Sequence, residues 1–134
     1  MAENEKQLSK ILVVDDEKDV CEIMGDFLRE RDYAVFTAMT KEEGIAILDA
    51  QRPNIALLDI RLKGASGLDI LKHARGLSED IVIIMITALD DEQTVKEARQ
   101  LGADDYIVKP LTLDYLENVV LRKISLLAFR KKSV

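Results

Sequence analysis

The sequence predicts a doubly wound α/β fold: a five-stranded parallel sheet in flavodoxin-like order 2-1-3-4-5, flanked by five helices. Three observations predict it. Short apolar runs, ILVV at 11–14, IALL at 55–58 and IVIIMI at 81–86, each end at a polar residue, as strands buried on both faces do. Between them, apolar residues recur every three and four positions, the helical period. Strand and helix patterns alternate along the whole chain, which favours parallel strands joined by helical crossovers.

The elements follow in order. After the polar arm 1–8, the first strand ends in Asp15-Asp16-Glu17. Val20, Ile23, Met24, Phe27 and Leu28 then form one helical stripe, and residues 34–38 make a second strand. Thr40 is read as an N-cap with Glu43 completing a capping box, over a helix that buries Ile45, Ile47 and Leu48 and is left at Pro53. The central strand stops at Asp59, and Ser66 caps a helix carrying Leu68, Leu71 and Ala74. The fourth strand ends at Thr87. Asp90 is read as the cap of a helix with Val95, Ala98 and Leu101 inward, stopped by Gly102. Residues 105–108 form the fifth strand, ending in Lys109-Pro110. Thr112 caps a final helix with Leu113, Leu116, Val120, Ile124 and Leu127 on one side.

Composition narrows the function. A chain of 134 residues, 48% apolar and 33% charged, suits one soluble domain. No apolar run reaches membrane-spanning length and the amino terminus lacks the apolar centre of a signal peptide, so a cytoplasmic location is expected. One cysteine, Cys21, excludes an internal disulfide and is read as a packing residue. A net charge of −6 argues against direct nucleic acid binding.

Parallel strands place all their carboxyl ends at one edge, and ligands bind there where the winding reverses, between the first and third strands. Those two strands end in Asp15-Asp16 and Asp59, and the fourth and fifth bring Thr87 and Lys109 to the same edge. Three crowded carboxylates repel, and a divalent cation relieves the repulsion. Hard oxygen ligands without clustered His or Cys favour Mg²⁺. Lys109 supplies a point charge and Thr87 a hydroxyl for phosphate oxygens. These are the parts of a phosphoryl-transfer site with Asp59 as nucleophile.

The segments ILVVDDE, LLDIRLKGASG, ITA and YIVKP, in this order and spacing, resemble the receiver domain of bacterial two-component response regulators. The resemblance covers roughly residues 9–124 and leaves 125–134 as an overhanging helix end or linker. It implies that Asp59 is the phosphoacceptor for a phosphohistidine on a sensor histidine kinase or histidine phosphotransfer protein. It further implies that Asp15, Asp16, Asp59 and the backbone carbonyl of Arg61 hold Mg²⁺, and that Lys109 and Thr87 contact the phosphoryl oxygens. Ala88 would leave room at the phosphoryl group, and Tyr106 would be the switch aromatic that follows Thr87. The Lys109–Pro110 peptide would be cis, and phosphorylation would alter the face made by the fourth helix, fifth strand and fifth helix. Lys63 departs from the family, which often has proline there. Arg61 and Leu89 fall at variable positions that influence loss of the phosphoryl group, and bulky Leu89 is expected to hinder attacking water. Such a domain is not an enzyme with a separate substrate; it promotes only its own phosphorylation and dephosphorylation.

Plainer roles go to other residues. His73 reads as a surface residue, and Asp90-Asp91 and Asp104-Asp105 as loop and helix-end acids without a metal role. From Thr112 to Arg130 the last helix would run about 28 Å, beyond a strand's roughly 17–20 Å. Leu126, Leu127 and Phe129 are therefore expected to overhang the sheet, toward an output domain outside this chain or a homodimer partner. Three alternatives stand beside the regulator reading. A stand-alone phosphorelay shuttle is one. A flavodoxin-like carrier lacks a phosphate-cradling first loop, because two aspartates stand there. An aspartate-nucleophile phosphatase lacks an insertion long enough for a substrate cap.

Overall fold

A computed structural model describes residues 9–88 and 91–132. The elements are β1 Lys10–Val14, α1 Lys18–Arg29, β2 Ala34–Ala38, α2 Lys41–Gln51, β3 Ile55–Asp59 and α3 Gly67–Leu77, then β6 Val82–Thr87, α4 Glu92–Gln100 and β7 Asp105–Val108. Two-residue strands β4 Arg61–Leu62 and β5 Ala65–Ser66 pair antiparallel in the loop after β3. The five long strands are parallel, in the order β2-β1-β3-β6-β7, which is 2-1-3-4-5 counting only those five.

Alternation along each strand divides the interior in two. Leu12, Val14, Ala56, Leu58, Ile83 and Met85 face Leu48 of α2, Ile70, Leu71 and Ala74 of α3, and Ala98 of α4. Ile11, Val13, Ile55, Leu57, Ile84 and Ile86 face Met24, Phe27 and Leu28 of α1 and Leu116, Val120 and Ile124 near the carboxyl end. Every residue of β3 and β6 is buried, as their continuous apolar runs require. The caps read at Thr40, Ser66 and Thr112 form: each side chain accepts a backbone N–H from the first turn of its helix. At α2 the reciprocal Glu43 carboxylate accepts from Met39 N rather than from Thr40 N.

Several expectations are corrected. Asp90 and Leu89 lie outside the described residues; the residue before α4 is Asp91, whose side chain makes no capping bond. Ile23 is exposed, because Cys21 and Gly25 share the buried side of α1 with Met24, Phe27 and Leu28. The final helix is broken into α5 Leu113–Tyr115, a π-helical turn Leu116–Val120 and α6 Leu121–Lys132. The turn brings Leu116, Val120 and Ile124 onto one buried line and leaves Leu113 exposed. Leu126 and Phe129 are exposed as expected, but Leu127 is half-buried against the α1 side of the core. Among the described residues no helix is long and apolar enough to cross a membrane.

Candidate functional site

Each strand end arrives at the same edge for a local reason. β1 and β3 are neighbours, so Asp15 and Asp16 lie beside Asp59. Ile60 N donates to Ile86 O and Lys109 N donates to Thr87 O, which carries the β3, β6 and β7 ends forward together. The Lys109–Pro110 peptide is cis. Gly67 permits the closest approach: a Cβ there would lie 2.0 Å from the Asp59 carbonyl oxygen. α3 is thereby seated directly behind the acidic residue.

Asp15 is fully buried, and Asp59 and Thr87 are nearly so. One carboxylate oxygen from each of Asp15, Asp16 and Asp59 lies within 4.8 Å of the others. Backbone donors orient them: Glu17 N to Asp15 Oδ1 at 2.9 Å, Lys63 N to Asp16 Oδ2 at 2.8 Å and Arg61 N to Asp59 Oδ1 at 3.1 Å. The Lys63 bond requires a residue other than proline there, because proline has no N–H to donate. Lys109 Nζ sits 2.7 Å from Glu17 Oε1, 3.0 Å from Asp15 Oδ2 and 3.3 Å from Asp59 Oδ2. The Asp15 contact is an ion pair only: Oδ2 receives no hydrogen bond despite complete burial. A buried Asp15 oxygen held only by the Lys109 ion pair, beside two further carboxylates, is a donor set that suits a hard divalent cation.

Electrostatics follow the packing. Burial raises the Asp59 carboxyl to about 6, the Asp15 charge adds to the rise, and Lys109 and the Arg61 N–H oppose it. Burial acts to lower the Lys109 ammonium, but the hydrogen bond with Glu17, the close Asp15 contact and the charges of Asp15 and Asp59 outweigh it. The ammonium is held above the ordinary lysine range. Burial, reinforced by the Asp15 charge, pushes the Cys21 thiol up to about 11, so it is a packing group and not a thiolate at neutral pH. His73 on α3 bonds Asp49 at 2.7 Å, away from the cluster.

Lys109 is the cation that offsets Asp15 and Asp59. Lys109→Met is therefore expected to cost about 2 kcal/mol at pH 7 in metal-free protein, by leaving buried charge unpaired. The loss should be smaller near pH 4, where folded Asp59 carries a proton and one of the charges that Lys109 offsets is gone. Urea unfolding in a chelator at the two pH values checks this.

Thr87 points its hydroxyl away from Asp59. Oγ1 donates toward Asp91 Oδ2 at 3.1 Å and Ala88 O at 3.0 Å. Asp91, read from sequence as a loop acid, is buried and pairs with the Arg61 guanidinium. A cavity of about 210 Å³ lies beyond, lined by Thr87, Ala88, Val95, Tyr106 and Val108 among others. The half-buried Tyr106 ring borders it, with Arg99 5.3 Å and Lys123 5.5 Å from the ring centre. Glu17 and Asp91 are the site residues that sequence reasoning missed. Glu17 continues an acidic run, and Asp91 lies four positions past Thr87 in the sequence, but neither position alone announces a contact.

The sheet order and its acidic edge first define a class: an open α/β domain whose switch point carries carboxylates in place of a phosphate-cradling loop. Within that class, residues 11–121 match the response regulator receiver domain, and the chain belongs to that family. It is similar to sporulation initiation phosphotransferase F of Bacillus subtilis, 29% identical over 117 residues that make up 87% of this chain and 94% of the relative. The CheY-like receiver domain protein of Methanospirillum hungatei superposes with a TM-score of 0.87 at 29% identity, covering 95% of this chain and 98% of that one. NtrX of Brucella abortus aligns at 27% identity and a TM-score of 0.84, over 95% of this chain but only 29% of NtrX.

Proposed function

We propose that this chain is a phosphorylation switch in which Asp59 receives a phosphoryl group, with Mg²⁺, from a phosphohistidine of a sensor histidine kinase or histidine phosphotransfer protein. One observation carries the reading. Asp59 is buried with one oxygen fixed by the Arg61 N–H and the other facing Lys109, inside a three-carboxylate cluster whose buried Asp15 oxygen is held by the same lysine through an ion pair. Asp15, Asp16, Asp59 and the Arg61 carbonyl would hold Mg²⁺, which when bound neutralises charge on the incoming phosphoryl oxygens. An Asp59 oxygen forms the new O–P bond as the N–P bond of the donor imidazole breaks, and that imidazole keeps the bonding pair and takes up a proton. Lys109 stays charged and follows the negative charge from Asp59 to the phosphoryl oxygens. Thr87 turns to donate to one of them, and Tyr106 moves into the space beside it. The face built by α4, β7 and the α5–α6 segment then changes its preferred conformation.

Residues 9–124 are the switching unit in this reading, acting in the cytoplasm on partners and not on a separate substrate. An output domain outside this chain, or a second copy docked at α6, would receive the signal. A shuttle role is the second reading. It is favoured by the Bacillus relative, which matches over nearly its full length and is named a phosphotransferase. The first experiment is intact mass after incubation with acetyl phosphate. A gain of one phosphoryl group with Mg²⁺, and none with a chelator, is the expected result. No gain from acetyl phosphate or from a phosphorylated kinase, with the protein folded, would overturn the reading.

A further inference from the structure

We propose that Arg61 and Asp91 form a latch that holds Thr87 away from the acceptor and so sets how readily the site accepts a phosphoryl group. This inference rests on Asp59 being the phosphoacceptor. Thr87 has one hydroxyl hydrogen, and both acceptors within reach of it, Asp91 Oδ2 and Ala88 O, lie on the side leading into α4. A hydroxyl so engaged cannot donate to a phosphoryl oxygen. The Asp91 carboxylate is the stronger acceptor of the two, because it is charged. It is also buried, so losing a donor there leaves a buried anionic oxygen short of a partner.

Arg61 makes the arrangement specific to the acceptor. Its backbone N–H donates to Asp59 Oδ1, while its guanidinium pairs with Asp91 Oδ1. One residue, two places beyond the acceptor, thus touches both the nucleophile and the group restraining Thr87. The Arg61 side chain is 66% exposed and the Asp91 side chain 3% exposed, so the pair anchors a buried acid from the surface. Rotation of Thr87 toward Asp59 breaks its bond to Asp91 without any compensating donor from Arg61, whose contact is with the other oxygen. The latch therefore favours the unphosphorylated arrangement. Removing it shifts the equilibrium toward the form that holds a phosphoryl group.

The test measures binding of beryllium fluoride, a phosphoryl mimic, in saturating Mg²⁺ by calorimetry. Asp91→Ala should bind roughly ten- to a hundredfold more tightly than wild type, the span set by one hydrogen bond to a charged group. Asp91→Asn, which keeps the shape and a weaker acceptor, should fall between them. It carries the test if the alanine variant does not fold. In a Thr87→Ala background the Asp91 effect should disappear, since the latch acts only through that hydroxyl. An Asp91 effect that is absent, reversed in sign, or undiminished in Thr87→Ala overturns the latch, while wild-type binding leaves the phosphoacceptor reading standing. Wild type that binds no beryllium fluoride overturns that reading, and the latch with it.

Discussion

Gly67→Ala is expected to destabilise the domain by about 3 kcal/mol or more, by overpacking backbone against backbone. The added Cβ would lie 2.0 Å from Asp59 O, 2.9 Å from Asp59 C and 3.2 Å from Ile60 Cα. No side chain can rotate to relieve these contacts. Either the start of α3 lifts off the loop, breaking the Gly67 N–Ile60 O bond of 2.8 Å, or the end of β3 shifts. The second movement displaces Asp59, so loss of phosphoryl uptake should accompany loss of stability. Gly76, near the other end of the same helix, is the control. A Cβ there meets nothing within 4 Å, and Gly76→Ala should be neutral or stabilising by up to about 1 kcal/mol. Chemical denaturation of the two variants separates steric conflict from a general effect of alanine in α3.

Asp59→Asn should make metal-free protein more stable at neutral pH, although it removes the proposed acceptor. The sign follows from the raised carboxyl, at about 6 in the folded protein against 3.8 ordinarily. The folded state holds the Asp59 proton more tightly than the unfolded chain does, so this group stabilises below about pH 4. That contribution, on the order of 3 kcal/mol, is lost as pH rises through about 6 and the charged form takes over. Asparagine has no such charge. The advantage of Asp59→Asn should be present at pH 7 and largely gone at pH 4. Saturating Mg²⁺ should reverse the order at pH 7, because wild type binds the ion with one more carboxylate and gains stability by linkage. Thermal unfolding across pH, with chelator and with Mg²⁺, reads all three effects. Higher metal-free stability of wild type at pH 7 would contradict the account.

Much of this was legible in the sequence because burial on both faces leaves an unambiguous mark. The continuous apolar runs before Asp15, Asp59 and Thr87 could be little else than central strands, and strand direction then placed their polar ends together. Helix caps were legible at Thr40, Ser66 and Thr112, where a side-chain oxygen acts locally. Helix faces were less so. Ile23 fits the stripe of α1 by spacing, yet Cys21 and Gly25 occupy the buried side, and Ile23 borders an open groove with Pro110 and Leu111. Leu113 was misread because a π-helical turn, which no periodicity of 3.6 anticipates, follows it and puts the buried line of Leu116, Val120 and Ile124 out of register with it. At the site, Asp15, Asp16, Asp59, Thr87 and Lys109 assemble as their strand ends dictate. Glu17 and Asp91 escaped notice because their roles depend on where Lys109 and Arg61 reach, and long side chains leave no spacing signal.

The most direct measurement is chemical trapping of the acceptor. After incubation with Mg²⁺ and acetyl phosphate, borohydride reduces an aspartyl phosphate to homoserine and releases phosphate, and peptide mapping locates the altered residue. The account predicts homoserine at position 59 and nowhere else, with none formed in a chelator. Homoserine at Asp15 or Asp16 in place of Asp59, or phosphate retained on another residue type, would contradict it.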